Sequence, residues 1–377
     1  MLLDMSILDI LGAIFVFLVG FALTKIIARV FLTSLSRVIF LYVWHTLFCF
    51  LYVWYVSTYG GDSYYISSLK DHIVFLFGTQ AVLYLTMFFS KILGFSFLAT
   101  SLVYNIFGFI GLVAFDAALR YAVEQKGKNI RQLATIIILL PSVSFWSSGI
   151  GKDSLAFLSG SLVLWSSINF KKRVWVIVPA IIIMLFVRPH IAGVMILSFA
   201  VSIIIQNKIS PIFRVGISAI AIIASIILVP IGIKYSQLDN FVSTKQIEKY
   251  IHNRSLLNIG TSGSIDISKM PVPLQIGTYL FRPLPFEAHN IASFFASLDN
   301  MILIYLFILG IKSMLQTKKY KNKGENRLFM WTYSIVTLLM LSTTTANLGI
   351  SVRQKWMFTP ILIFLIMSII RIRNLNK

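Results

Sequence analysis

The chain has little of what a water-soluble domain uses on its surface. Of its 377 residues only 12% are charged, and only 13 are Asp or Glu. Soluble domains carry about 25% charged residues, and disordered chains are polar and poor in aromatics. Both classes are excluded. There is one cysteine, Cys49, so no disulfide forms within the chain and the redox compartment goes unread. Paired cysteines and a His-x-x-x-His helix are both missing, which removes the usual zinc sites. No Gly-x-Ser-x-Gly turn nominates a serine nucleophile. The N-terminus, MLLDMSILDI, has no basic region and no small-residue cleavage site. It reads as the start of a membrane helix rather than a signal peptide.

What is present is apolar. Hydrophobic residues make up 58% of the chain, and the mean hydropathy is +0.85. The apolar runs lie near 8–31, 36–56, 73–92, 97–118, 132–148, 154–170, 174–188, 190–206, 214–233, 290–313, 328–346 and 356–371. They are continuous rather than alternating, which argues against an outer-membrane barrel. A crossing needs roughly 20 apolar residues. The expected fold is therefore all-α, a polytopic transmembrane helix bundle forming one integral domain over 1–377.

The formal charge of +20 would suggest nucleic acid in a soluble protein. In a membrane chain it first reports topology, because Lys and Arg gather in short cytoplasmic loops. Lys25, Arg29, Arg37, Arg120, Lys126, Lys128, Arg131, Lys171, Lys172, Arg173, Lys208, Arg214, the Lys312–Arg327 cluster and the C-terminal arginines fall on one side of a single threading. That threading has about 11 crossings, with the N-terminus outside and the C-terminus inside. The 73–92 run then lies along the outer interface, where His72, Gln80, Ser90 and Lys91 suit an interfacial helix. If 73–92 crosses instead, there are about 12 crossings. The expected partner is the lipid bilayer, and no nucleic-acid partner is expected.

The external segments are the loop 57–97, the turn 147–154 and the large loop 234–289, and they hold the unusual polar residues. Asp62 follows Gly60-Gly61 and is flanked by Tyr59, Tyr64 and Tyr65. A carboxylate held there near the membrane surface can accept a proton from a hydroxyl, or it can be an ordinary turn residue. In Ser148-Gly149-Ile150-Gly151-Lys152-Asp153 a glycine turn opens a helix, whose free amides favour an anion. Asp153 equally suits the first turn of that helix, and the spacing is not that of a nucleotide P-loop. Arg188-Pro189-His190 joins two apolar runs. Its guanidinium can anchor the helix end or clamp a phosphate, with His190 beside it. Arg282, Glu287 and His289 converge in a proline-stiffened segment before a membrane helix. Arg353 and Lys355 stand at the outer start of the last helix, next to the interfacial Trp356.

This order of parts resembles the GT-C class of membrane glycosyltransferases, which take a sugar from a polyprenyl-phosphate or polyprenyl-diphosphate lipid. In that class an early external loop carries a catalytic acid, matched here by Asp62, and surface helices follow it, matched by 73–92. A second acidic residue in the next external loop is matched by Asp153. The chain also resembles bacterial O-antigen and capsule repeat-unit polymerases, which are basic polytopic proteins with a large late external loop like 234–289. In those, external arginines are thought to hold the phosphates, and Arg188, Arg254, Arg282 and Arg353 are the matching residues. The Arg-x10-Gly spacing of some polymerases is absent at Arg254, whose nearest following glycines are Gly260 and Gly263.

The resemblance implies a multi-pass enzyme of the bacterial cytoplasmic membrane. It would act on a polyprenyl-linked sugar donor and a glycan acceptor in surface-polysaccharide assembly. It further implies Asp62 as base and Asp153 with Lys152 in support, with Glu287 and His289 as alternative acid–base groups. Arg188, His190, Arg254, Arg282, Arg353 and Lys355 would bind phosphate. No cofactor is required, although some members of the class use a divalent metal at the acidic loop. The competing class is a transporter or flippase for a similar lipid or an anionic solute.

Overall fold

Helices begin where the sequence supplies caps. Ser6 opens α1 (Ile7–Val30): its hydroxyl accepts from the Asp9 amide at 3.2 Å, and the Asp9 carboxylate accepts from the Ser6 amide at 3.0 Å. That reciprocal pair satisfies amides that a helix start leaves bare. After a short turn, α2 (Leu35–Tyr59) runs to Gly60, whose φ of 78° is a conformation that glycine adopts without steric cost. The computed structural model describes residues 6–60, 77–205, 270–288, 290–315 and 324–370, with isolated positions between 215 and 267. Asp62, Arg254 and His289, most of loop 234–289 and nearly all of the 214–233 run lie outside the described residues.

A short helix, α3 (Thr79–Met87), continues through a π-turn at Phe88–Ile92. Then come α4 (Phe97–Val123), α5 (Lys128–Ile138), α6 (Pro141–Ser147), α7 (Lys152–Ile168), α8 (Phe170–Val187) and α9 (Pro189–Ile205). The later part holds α10 (Val272–Phe281), α11 (Ile291–Leu315), α12 (Arg327–Thr344), α13 (Leu348–Gln354) and α14 (Thr359–Ile369). There is no β-strand among the described residues, so the protein is all-helical, as the continuous apolar runs imply.

Five stretches are long and apolar enough to cross a bilayer: Ile7–Val30, Leu35–Tyr59, Phe97–Val123, Lys128–Ser147 and Ala292–Leu315. A sixth forms if Leu348–Met357 and Thr359–Ile369, bent by 64° to each other, make one span. The Lys128–Ser147 stretch is α5 plus α6, broken at Leu139–Leu140, where Pro141 takes the first helical position of α6, the place a helix tolerates it best.

Side-chain pairs fix the helix directions. The Tyr42 hydroxyl donates to the Phe17 carbonyl at 2.8 Å, so α2 runs antiparallel to α1. His45 meets Asn105 while Arg37 meets Asp116, so α4 is antiparallel to α2. The bundle therefore has two distinct ends. One collects the α1–α2 turn, the end of α4, the α7–α8 junction and the end of α14, and it is rich in basic residues. There, buried Asp116 accepts from Arg37 Nε at 2.9 Å and from Arg120 Nε at 3.0 Å. Lys126 Nζ donates to the Ile370 carbonyl at 2.8 Å, placing a cation on carbonyls that a helix C-terminus leaves open. The other end collects the end of α2, the α6–α7 turn, the α8–α9 junction and the end of α13.

The described part of the 73–92 run begins and finishes at this second end. The Gly78 amide donates to the Phe186 carbonyl at 2.6 Å, and α4 starts there after the π-turn. Thr86 and Val82 reach only as far down α4 as the Tyr104 hydroxyl, at 3.0 and 3.2 Å. The described part of this run, a nine-residue helix and a π-turn, is not among the stretches long and apolar enough to cross a bilayer.

Burial separates the layers. In the apolar window of α1 28% of residues are buried, against 67% in α4, so α1 faces outward, exposing Phe15, Leu18 and Phe21. Every residue of α7 from Asp153 to Ile168 except Leu162 is buried. Small side chains let backbones approach this central helix: a Cβ on Gly160 would lie 2.2 Å from the Met357 carbonyl oxygen. Gly160→Ala therefore forces backbone apart and is expected to cost about 1–3 kcal/mol, read as a lower thermal unfolding midpoint of the purified protein. Gly127→Ala, where nothing lies within 4 Å, shifts the midpoint far less, since it changes only the N-cap of α5.

Candidate functional site

The site is built from the short helix α6 upward. The Asp299 carboxylate of α11 accepts from the Ser142 amide at 2.7 Å, capping the start of α6 from another helix. At its other end, Ser147 Oγ lies 2.9 Å from His45 Nε2, and His45 Nδ1 lies 2.5 Å from Asn105 Oδ1. Asn105 Nδ2 in turn donates to Thr46 Oγ1 at 2.9 Å. His45, Asn105 and Asp299 are buried. Buried polar groups left unpaired are costly, so these bonds hold α6 in one place. The glycine turn that follows is pressed against α2: the Tyr52 hydroxyl donates to the Ile150 carbonyl at 2.9 Å. A Cβ on Gly149 would lie 2.1 Å from the Tyr52 ring.

That turn delivers Lys152 and Asp153 to the first turn of α7. Asp153 is buried, and both of its oxygens are taken by guanidinium groups. Arg188 Nη2 donates to Oδ1 at 2.7 Å, and Arg353 Nε donates to Oδ2 at 2.8 Å. Arg188 sits between α8 and α9, where Pro189 begins the next helix. Arg353 is in the last turn of α13. The guanidinium of Arg353 lies over the Trp146 ring, 4.6 Å from its centre, an attractive placement for a cation on a π face. Lys152 Nζ donates to Thr79 Oγ1 at 3.0 Å, joining the start of α3 to the same corner. Two arginines around one carboxylate leave this trio with net positive charge. Arg188 is buried, while the Arg353 side chain keeps 29% exposure. The arrangement suits an anion that approaches along Arg353 and reaches inward to Arg188.

Of the residues singled out in the sequence, Lys152, Asp153, Arg188 and Arg353 come together here. His190 is half-buried in the first turn of α9. Arg282 and Glu287 brace their own loop: Glu287 accepts from Arg282 Nε at 2.8 Å and from the Leu284 amide at 2.8 Å. Lys355 is fully buried, with Nζ donating to the Leu280 carbonyl at 3.2 Å and to Asn300 Oδ1. It closes the end of α10. Sequence reasoning passed over Trp146, His45, Asp116 and Asp299. Asp116 and Asp299 carried a usable signal, because an ionisable residue inside an apolar run is a functional or structural centre by default. Among the described residues no group of three or more His, Cys, Asp or Glu could hold a metal ion.

No protein-family model, curated protein or solved structure matches this chain.

Asp153→Asn removes the charge that both arginines share. Breaking a buried ion pair by changing one partner costs about 3–5 kcal/mol. The variant is expected to unfold at a clearly lower temperature than Lys152→Gln, whose Nζ bonds to a threonine.

Proposed function

We propose that this protein is a membrane enzyme that transfers a glycosyl group from a polyprenyl-phosphate or polyprenyl-diphosphate donor during bacterial surface-polysaccharide assembly. The observation that carries the reading is the Arg188–Asp153–Arg353 trio at the end of the bundle opposite the basic loops. In this reading the protein crosses the bacterial cytoplasmic membrane about 11 times. The basic end faces the cytoplasm, and the trio faces outward at the level of the lipid headgroups.

The chemistry follows from charge. When the bond between the anomeric carbon and the phosphate oxygen breaks, negative charge develops on the departing phosphate. Arg188 and Arg353 stabilise that charge, and the lipid chain lies between helices. The attacking hydroxyl of the acceptor sugar gives its proton to a carboxylate. Asp153 and Glu287 are poor candidates for that role, since arginines occupy their oxygens. The role of base goes to Asp62, with His289 as the alternative. Asp153 instead orients the two guanidiniums. A repeat-unit polymerase would use the same site and differ in the size of the glycan it moves.

The test is made in the producing cell. In Arg353→Gln and Asp62→Asn, surface polysaccharide made by this enzyme is expected to fall at least about 100-fold, the scale of removing one charge-stabilising group, with the protein still inserted. Collapse of long chains to one lipid-linked repeat assigns the polymerase form, and loss of a sugar from the repeat assigns single transfer. Unchanged polysaccharide in both variants overturns the enzyme reading and favours a transporter. Orientation has its own test. A thiol reagent that does not cross membranes is expected to label Asn290→Cys from outside and Gln125→Cys only after the membrane is opened. Native Cys49 is buried and stays silent.

A further inference from the structure

Two donors beside the trio are buried without a hydrogen-bond partner among the described residues: Arg188 Nε and the Tyr279 hydroxyl. Arg188 retains 7% exposure and Tyr279 2%. Buried donors are ordinarily paired, and the exceptions call for an explanation. Arg188 gives Nη2 to Asp153, and the neighbouring Nε–H has no partner among the described residues. Tyr279 lies in the last turn of α10, held from below. The carbonyl of its neighbour Leu280 accepts from Lys355, and the Tyr279 ring stacks on Phe358 with centroids 6.3 Å apart. Lys355 stands two residues from Arg353, so its bond to Leu280 sets the end of α10 beside the trio. A phenol O–H and a guanidinium N–H, both dry and both donors, are what an oxyanion needs and what a neutral lipid would leave unused.

We infer that Tyr279 is a substrate-binding residue: its hydroxyl, together with Arg188 Nε, donates to the phosphate oxygens of the bound lipid. This rests on the phosphate-site reading above and adds a residue to it. The anion lies on the inner, Tyr279 side of Arg188, and Arg353 guards the approach from water. Lys355 takes no direct part and fixes the height of α10, hence of Tyr279.

The experiment uses the full-length protein in detergent micelles. Farnesyl phosphate is titrated by calorimetry, with farnesol as the uncharged control, and unliganded thermal midpoints are measured in parallel. Wild type is expected to bind the phosphate and not the alcohol. Tyr279→Phe is expected to bind it about tenfold to a hundredfold more weakly, the scale of one hydrogen bond to a charged group. Its unliganded midpoint is expected to be equal or higher, because the substitution removes a buried hydroxyl that bonds to nothing among the described residues. Tyr104→Phe, whose hydroxyl bonds to Thr86 and Val82, is expected to lose stability and keep its affinity. If Tyr279→Phe binds as tightly as wild type, the inference falls while the phosphate site stands. A fall in its unliganded midpoint would show that the hydroxyl serves the fold, which also overturns it. If wild type itself fails to prefer the phosphate over farnesol, the phosphate reading falls and takes this inference with it.

Discussion

A carboxylate cannot leave water alone. Asp153 is buried at the head of the central helix, and the burial is tolerable only because two guanidiniums meet it. One comes from 35 residues further along the chain and the other from 200. Satisfying this one charge therefore draws the α8–α9 junction and the end of α13 onto the α6–α7 turn. The apolar helices can pack in many ways, because lipid tails are as apolar as their own side chains. The ion trio selects one packing at this end.

The same logic repeats deeper in the bundle. His45 and Asn105 hold the end of α6, Asp299 holds its start, and Lys355 closes α10 through the Leu280 carbonyl and Asn300. Each bond crosses between segments far apart in sequence. Together they set the heights of Trp146, Asp153 and Tyr279 relative to one another, so the geometry of the Asp153 site is decided by polar groups one layer beneath it. Asp116 with Arg37 and Arg120 does the same for the basic end.

The helical class was legible because runs such as 97–118 and 290–313 are continuous, and the basic end of the bundle because short loops such as 120–131 concentrate positive charge. The members of the Asp153 corner were legible too, since Lys152, Asp153, Arg188 and Arg353 are ionisable residues at ends of apolar runs. Their pairing was not. Nothing in spacing says that a carboxylate at 153 meets an arginine 200 residues later, because tertiary contact is not periodic. Lys355 looked equivalent to Arg353 in sequence, yet two residues of helix turn it from the open corner into the core. Tyr279 gave no signal among 15 tyrosines; its buried hydroxyl, unbonded among the described residues, sets it apart. Asp299 was overlooked because attention went to loops, although an acid inside a membrane helix is the more unusual feature.

Chemically, the corner is a fixed cationic cradle, and the proposed base, Asp62, belongs to a different segment of the chain. Holding the leaving phosphate and accepting the hydroxyl proton are separate tasks, and a salt-bridged aspartate suits the first better than the second. The most direct measurement is a structure of the full-length protein in a lipid nanodisc with farnesyl phosphate bound. The account predicts phosphate density between Arg188, Arg353 and Tyr279, with the prenyl chain running between helices toward the bilayer. Phosphate bound at the basic end beside Arg37 and Arg120, with the Asp153 corner empty, would contradict it.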